Sequence, residues 1–174
     1  MRKLTLGIIG VIGLGVIFAV GQHSLAQTAQ GQGGQRGRGG EGQTVILEQA
    51  PSDHSVAIPK EKLDQYLNDM DAKHQQTLRM LEGGKYNVNI RRITNAETAL
   101  IHPKTIDVWV VIDGSGTLTT GGKIENGKIV GGQSHALKVG DVEFIPANVP
   151  HGVSGVNGNI TWLNIRWDVD WENK

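Results

Sequence analysis

The chain has 174 residues, of which 17 are lysine or arginine and 17 are aspartate or glutamate, and it contains no cysteine. This balance of charge argues against a protein that binds nucleic acid or an anionic membrane, since either partner needs an excess of basic residues. Without cysteine, the chain has neither a disulfide framework nor a lipid anchor attached through a cysteine.

The N-terminal segment has the three parts of a secretory signal peptide. Arg2 and Lys3 precede an apolar run over residues 4–20, which is short for a membrane span, and small residues around Ala26 suit a signal peptidase. We therefore expect residues 1–26 to be removed during export to the periplasm or the medium of a bacterium, with no membrane contact afterwards. An uncleaved N-terminal anchor is the alternative.

Residues 27–43 consist almost entirely of glycine, glutamine and a few charged residues. Such a segment buries too little apolar surface to offset the entropy lost on ordering, so it predicts a disordered linker. An Arg-Gly-Arg-Gly-Gly run within it could contact RNA, but a flexible tether is favoured because only two arginines are present. The remaining chain of about 130 residues is enough for one domain with one hydrophobic core.

Residues 44–84 predict an N-terminal extension that contains an amphipathic helix. Pro59 suits the first helical position, and a Gly83-Gly84 pair suits the end. A break near Asp71 would give two helices instead of one. A set of residues, apolar apart from Thr77, recurs at spacings of three, four and seven, which predicts one apolar helix face: Leu63, Tyr66, Leu67, Met70, Thr77, Leu78 and Leu81.

Beyond this extension the hydrophobic period becomes two, which is typical of β-strands. The alternation begins at Tyr86, and an Asn126-Gly127 pair later in the chain predicts a hairpin with a type I′ turn. Residues 108–112 are apolar on both faces, so one face is expected to line a barrel interior. The other face should contact the helix, an N-terminal strand or a second subunit. The pattern predicts an all-β sandwich or barrel with the helix laid against it.

Two stretches place histidines where a side chain could be aimed into a pocket. In the first, His102 ends an apolar run and Asp107 follows a short turn, so the two should lie close across antiparallel strands. In the second, a strand should end at Pro146, and a proline-stiffened loop then leads to His151. Asn148 stands in this loop where a left-handed conformation is needed.

These stretches resemble the two motifs of the cupin superfamily, over about residues 85–168. The second motif is G-x5-P-x-G-x2-H-x3-N, and Gly140, Pro146 and His151 fall at its spacing. Asn148 replaces its inner glycine, and Gly155 replaces its asparagine.

The first motif, G-x5-H-x-H-x3,4-E-x6-G, is matched only in part. His102, Asp107 and Gly114 keep its spacing, but Asp107 replaces the glutamate. Leu100 stands where the other histidine is expected, and the initial glycine is missing.

The resemblance implies a double-stranded β-helix barrel over residues 85–174, with the motif side chains in one pocket. It implies that His102, Asp107 and His151 hold a divalent transition metal such as iron, manganese, zinc, copper or nickel, with positions left open for substrate. A metal-free pocket, in which Asp107 orients His102, is the alternative. The missing histidine favours that alternative, whereas the retention of both other histidines favours the metal.

Several further residues have two open interpretations. Trp109 could be a stacking platform for a ligand or a core residue. Arg92 shares the parity of Val88 and Ile90, so it could reach into the barrel mouth and bind a substrate carboxylate, or be a surface arginine. The face of residues 161–167 that points inward is undecided. The remaining histidines are weak candidates, and for His74 a packed or half-exposed position is favoured over a ligand role: His23, His54, His74 and His135.

The leading functional prediction is an exported metal-dependent enzyme that acts on a small polar or aromatic molecule, in which Asp107, Arg92 and Trp109 assist catalysis. The alternative is a non-catalytic module that binds a small ligand or a sugar without metal. A third interpretation is a structural subunit that works through a dimer face. The two-sided apolar strand at residues 108–112 and the resemblance both predict a homodimer.

Overall fold

A computed structural model describes residues 44–170. The predicted signal peptide (1–26) and linker (27–43) lie outside the described residues. Within the described range, the elements are β1 (Val45–Gln49), α1 (Lys60–Ala72), β2 (Thr77–Glu82), β3 (Tyr86–Ile93), β4 (Thr105–Thr120), β5 (Lys123–Glu125), β6 (Lys128–Val130), β7 (Gln133–Lys138), β8 (Val142–Ile145) and β9 (His151–Asp168). No helix among these residues is long and apolar enough to cross a membrane.

The two longest strands, β4 and β9, organise the sheet. They pair antiparallel along nearly their whole lengths, with three shifts of register. β3 adds to the second half of β9, β2 pairs with β3, and β1 lies parallel to β2. On the other side of β4, β8 pairs with its first half and β7 with its second half. The predicted all-β barrel with a helical segment packed on it is confirmed.

The helix is shorter than the sequence pattern predicts. α1 ends at Ala72, and Thr77–Glu82 forms strand β2 instead of a continued or second helix. The helix therefore does end near Asp71, but a strand follows it instead of a second helix. The stretch after the break alternates with period two: Leu78 and Met80 are buried, and neighbouring Arg79 pairs with Asn89 of β3. A short apolar run fits either period, and pairing with β3 decides for the strand.

The outer face of the sheet carries the core under the helix. Met70 of α1 is 1% exposed and packs with residues of β2 and β3, namely Leu78, Met80 and Ile90. Ile112 of β4 packs against the same cluster, which confirms that part of the outer face of 108–112 is covered by the helix.

The inner face carries a second core, which fills the barrel. It contains residues from β3, β4, β7, β8 and β9, and two of them are tryptophans: Ile93, Trp109, Val111, Leu118, Leu137, Ile145, Val153, Ile160 and Trp162. β3 is therefore buried on both faces, although its alternation predicts a half-buried strand. Its inward side chains include polar Asn89 and Arg91, which are 1% and 5% exposed.

Both tight turns that the sequence predicts by residue type are present. The β5–β6 hairpin turns at Asn126 and Gly127, with φ of 51° and 77°. Asn148 has φ of 64° in the loop before β9. Glycine and asparagine adopt this left-handed region at lower cost than other residues.

Gly114 lies at a register shift between β4 and β9 and allows the two strands to approach closely. Its φ is 72°, and a Cβ at this position would overlap the backbone carbonyl of Asn159. Both features exclude a side chain. The glycine that keeps the spacing of the first motif is thus required by the backbone.

Replacing Gly114 with alanine should lower the free energy of unfolding more than replacing Gly158. Gly158 also has a left-handed φ, of 74°, but a Cβ there meets open space. Gly158→Ala should cost about 1–2 kcal/mol for backbone strain alone, and Gly114→Ala should cost at least about 1 kcal/mol more because of the overlap with Asn159. Urea unfolding monitored by tryptophan fluorescence measures both; equal losses would contradict this account.

Candidate functional site

Backbone pairing brings the three predicted site residues together at one end of the barrel. The segment before β4 runs antiparallel to the start of β9, and Leu100 and His151 exchange two backbone hydrogen bonds of 2.9 and 3.0 Å. The backbone N–H of Asn148 donates to the carbonyl of His102 at 2.8 Å. The proline-containing loop and the His102 segment therefore fix each other. Asp107 lies on the adjacent strand β4.

The three side chains present their metal-binding atoms to a common point. His102 Nε2 lies 3.7 Å from Asp107 Oδ2, and His151 Nε2 lies 3.5 Å from the same oxygen. One ligand atom from each residue lies within 4.8 Å of the others. Asp107 and His151 are 1% and 3% exposed, whereas His102 is partly open to solvent. This cluster could hold a metal ion.

The tautomer of His151 is set by its backbone. Its Nδ1 lies 2.8 Å from the carbonyl oxygen of Val149, and a carbonyl can only accept, so Nδ1 is the protonated donor. Nε2 then faces the carboxylate of Asp107, 3.5 Å from Oδ2. A metal-ligating histidine commonly has this arrangement, with one ring nitrogen held by a carbonyl and the other presented to the ion.

Arg166 is the site residue that the sequence analysis missed. Its Nε donates to Asp107 Oδ1 at 2.7 Å and its Nη2 donates to Asp107 Oδ2 at 3.3 Å. The same Nη2 also donates to Nε2 of His102. Arg166 and Asp107 are register partners on β9 and β4, so the strand pairing places the guanidinium beside the carboxylate.

The protonation states of the site follow from these contacts. Burial alone would raise the pKa of Asp107, but contact with His151 and the charge and hydrogen bonds of Arg166 lower that pKa to about 2. Burial, reinforced by the charge of Arg166, lowers the pKa of His102 to about 4. At neutral pH the carboxylate is therefore ionised and the His102 ring is neutral, which are the states that bind metal.

No family model and no curated protein matches the sequence. Solved structures do match. A cupin protein from Bacteroides fragilis is 16% identical, with 50% of this chain and 69% of that chain covered and a TM-score of 0.40. A conserved protein with a double-stranded β-helix domain from Klebsiella pneumoniae is 20% identical, with coverage of 51% and 72% and a TM-score of 0.41. The cupin domain of Schizosaccharomyces pombe Cnp3 is 10% identical, with coverage of 57% and 66% and a TM-score of 0.46.

The chain is thus similar to solved cupin and double-stranded β-helix structures over about half of its length. At such low identities the likeness concerns the fold alone, and the activity has to be argued from the site. Leu100 pairs with His151 through its backbone, so it stands beside the site as the resemblance implies.

The structure places Arg92 away from the site, which corrects the prediction that it reaches inward. It lies on the outer face of the sheet, where its guanidinium is 3.4 Å from Asp71 and 3.7 Å from Asp113. It lines an open groove of about 510 Å³ beside α1. Because both faces of β3 are buried, the apolar residues Val88 and Ile90 mark the face under the helix and not the barrel interior.

Trp109 is 2% exposed and forms part of the barrel core beneath the site. Its ring lies 4.7 Å from that of Trp162 and meets the edge of His151 at 6.1 Å. This position agrees with the core interpretation, and a role in ligand binding stays a prediction. The other described histidines lie outside the cluster and are exposed: His54, His74 and His135.

His102 should make the metal-free protein less stable in mild acid. Because its pKa is about 4 in the folded protein and near 6.5 when unfolded, the unfolded chain takes up the proton first as the pH falls. The free energy of unfolding should therefore decrease between pH 6.5 and about 4. His102→Gln should remove about 1–3 kcal/mol of this decrease. Urea unfolding in the presence of a chelator measures it, with His135→Gln as the exposed control. Parallel curves for wild type and His102→Gln would contradict the account.

Proposed function

We propose that the protein is an exported cupin enzyme that binds one divalent transition metal through His102, Asp107 and His151 and acts on a small polar or aromatic molecule. The observation that carries this proposal is the convergence of three lone-pair donors from separate segments on one point. Two imidazoles and one carboxylate on one side of an ion match the donor set that leaves positions open for substrate.

The residues around the cluster support a reactive centre. Metal held there would act as a Lewis acid or activate oxygen. The Val149 carbonyl keeps His151 in the tautomer that offers Nε2. Trp109 and Trp162 pack against each other beneath His151, so the side of the cluster toward the barrel core is largely apolar, which strengthens electrostatic interactions in the site. The partial exposure of His102 leaves an approach from solvent.

A non-catalytic module that binds a polar ligand is the second candidate, and one observation favours it. Asn164 is 1% exposed, yet neither its amide nitrogen nor its amide oxygen has a hydrogen-bond partner. The indole N–H groups of Trp109 and Trp162 are likewise without partners. Asn164 is the register partner of Trp109, in the row next to Asp107 and Arg166. Buried polar groups normally find a partner, so a hydroxylated ligand or ordered water would suit this row.

Metal titration separates the two candidates. Wild-type protein, purified without a histidine tag, should bind one equivalent of zinc or cobalt in calorimetry. His102→Ala and His151→Ala should each abolish stoichiometric binding, because each removes one of three donors. Leu100→His should strengthen it by adding a fourth. His135→Ala, at an exposed position of β7, is the control. A wild-type protein that binds no zinc, iron, manganese or copper below millimolar concentration would reject the metal proposal and favour the ligand-binding module.

The outer face of β4 and β8 supports a proposal of homodimer formation. Val142 and Phe144 of β8 are 62% and 58% exposed, and they pair with Val110 and Val108 of β4. The four side chains make an apolar surface on the part of the outer face that α1 leaves uncovered. A second copy of the chain would bury this surface against its own counterpart.

Sedimentation velocity at micromolar concentration should give a dimer for the wild type. Val142→Glu combined with Phe144→Glu should give a monomer, because the carboxylates would have to be buried without partners. Val130→Glu adds a charge at a residue that is 51% exposed on the β5–β6 hairpin and should leave the dimer intact. A monomeric wild type would reject the proposal.

A further inference from the structure

The guanidinium of Arg166 contacts the same atoms that the proposed metal would use. Its Nη2 donates to Nε2 of His102 and lies 3.3 Å from Oδ2 of Asp107. The Arg166 side chain is 18% exposed, so it belongs to the site and not to the free surface. The inference that follows rests on the proposed metal site.

Metal and guanidinium exclude each other at His102. The neutral imidazole has a single lone pair on Nε2, which either accepts the Nη2 hydrogen or binds an ion. Metal binding therefore requires that Nη2 leaves His102.

The charge balance changes when the metal enters. At present Asp107 and Arg166 neutralise each other, and His102 accepts a hydrogen bond as a neutral ring. A divalent ion adds two positive charges to a site whose single carboxylate is 1% exposed. A buried excess of positive charge is costly unless an anion accompanies it.

We propose that Arg166 is a built-in cation that occupies the metal-free site and that, once displaced by the metal, binds the carboxylate of the ligand. The edge of its guanidinium formed by Nε and Nη2 already holds the two oxygens of the Asp107 carboxylate, at 2.7 and 3.3 Å. The same edge fits the carboxylate of a small organic acid. The substrate class is therefore small carboxylic acids, bound next to the metal.

Arg166→Gln tests the competition with metal. The variant should bind zinc at least about tenfold more tightly than wild type in calorimetry, since a positive charge a few ångströms from the ion is removed. Arg92→Gln removes a comparable ion-paired arginine on the outer face and should leave zinc affinity unchanged. If Arg166→Gln and wild type bind zinc equally, the inference is overturned and the metal proposal stands. If neither binds zinc, both are overturned.

Benzoate tests the second half of the proposal, on the wild-type protein as well as the variant. Wild type saturated with zinc should bind benzoate several-fold more tightly than zinc-free wild type, because zinc releases Arg166 from Asp107. Arg166→Gln should lose most of this enhancement, and Arg166→Lys should retain only part of it, since lysine keeps the charge but not the two-pronged edge. Equal benzoate affinity with and without zinc in the wild type would overturn the role of Arg166 in carboxylate binding, whether or not the variants fold.

Discussion

The buried carboxylate of Asp107 is the group on which the site depends. An ionised carboxylate at 1% exposure persists only if its charge is matched nearby, and Arg166 supplies the match through two hydrogen bonds. Leaving such a charge without its partner costs about 3–5 kcal/mol. The same carboxylate lies within 3.7 Å of both histidine Nε2 atoms. The site therefore needs a cation at all times, either the guanidinium or a metal ion.

The fold holds this arrangement through the pairing of β4 with β9. Asp107 and Arg166 are register partners there, and the beginning of β9 carries His151. Between these points the register shifts, and at one shift Gly114 leaves no room for a side chain against the backbone of Asn159. The two cores lie on opposite faces of this sheet, so the helix stabilises the scaffold from outside while the site is built inside.

The sequence could predict the three metal-binding side chains but not Arg166, the cation that neutralises Asp107. The spacing of His102 to Asp107 and the proline-containing loop before His151 are local features, and the sequence pattern of strands and turns is enough to predict them. The distance from His151 to Arg166 is an odd number of residues, which in a regular strand would place them on opposite faces. Register shifts inside β9 break this parity, and the glycines within the strand indicate an irregularity without giving the size of the shift. The inward direction of Arg166 therefore depends on long-range pairing.

The two errors nearby have the same origin. The parity of Arg92 with apolar residues allows an inward position as well as a surface one, but both faces of β3 are covered, and Arg91 is the inward arginine of that strand. Thr77–Glu82 continues the helical spacing only because a short apolar run fits two periods, and β3 provides the strand partner. In both cases hydrophobicity indicates burial, whereas the pairing with neighbouring strands decides the type of element and the direction of the side chain.

A crystal structure of the wild-type protein grown with cobalt tests most directly whether a metal ion replaces the Arg166 guanidinium in the site. An anomalous peak should lie about 2.0–2.2 Å from Nε2 of His102, Nε2 of His151 and one oxygen of Asp107. The guanidinium of Arg166 should have turned away from His102. A guanidinium that remains between His102 and Asp107 at saturating cobalt, with no anomalous peak beside it, would contradict the account.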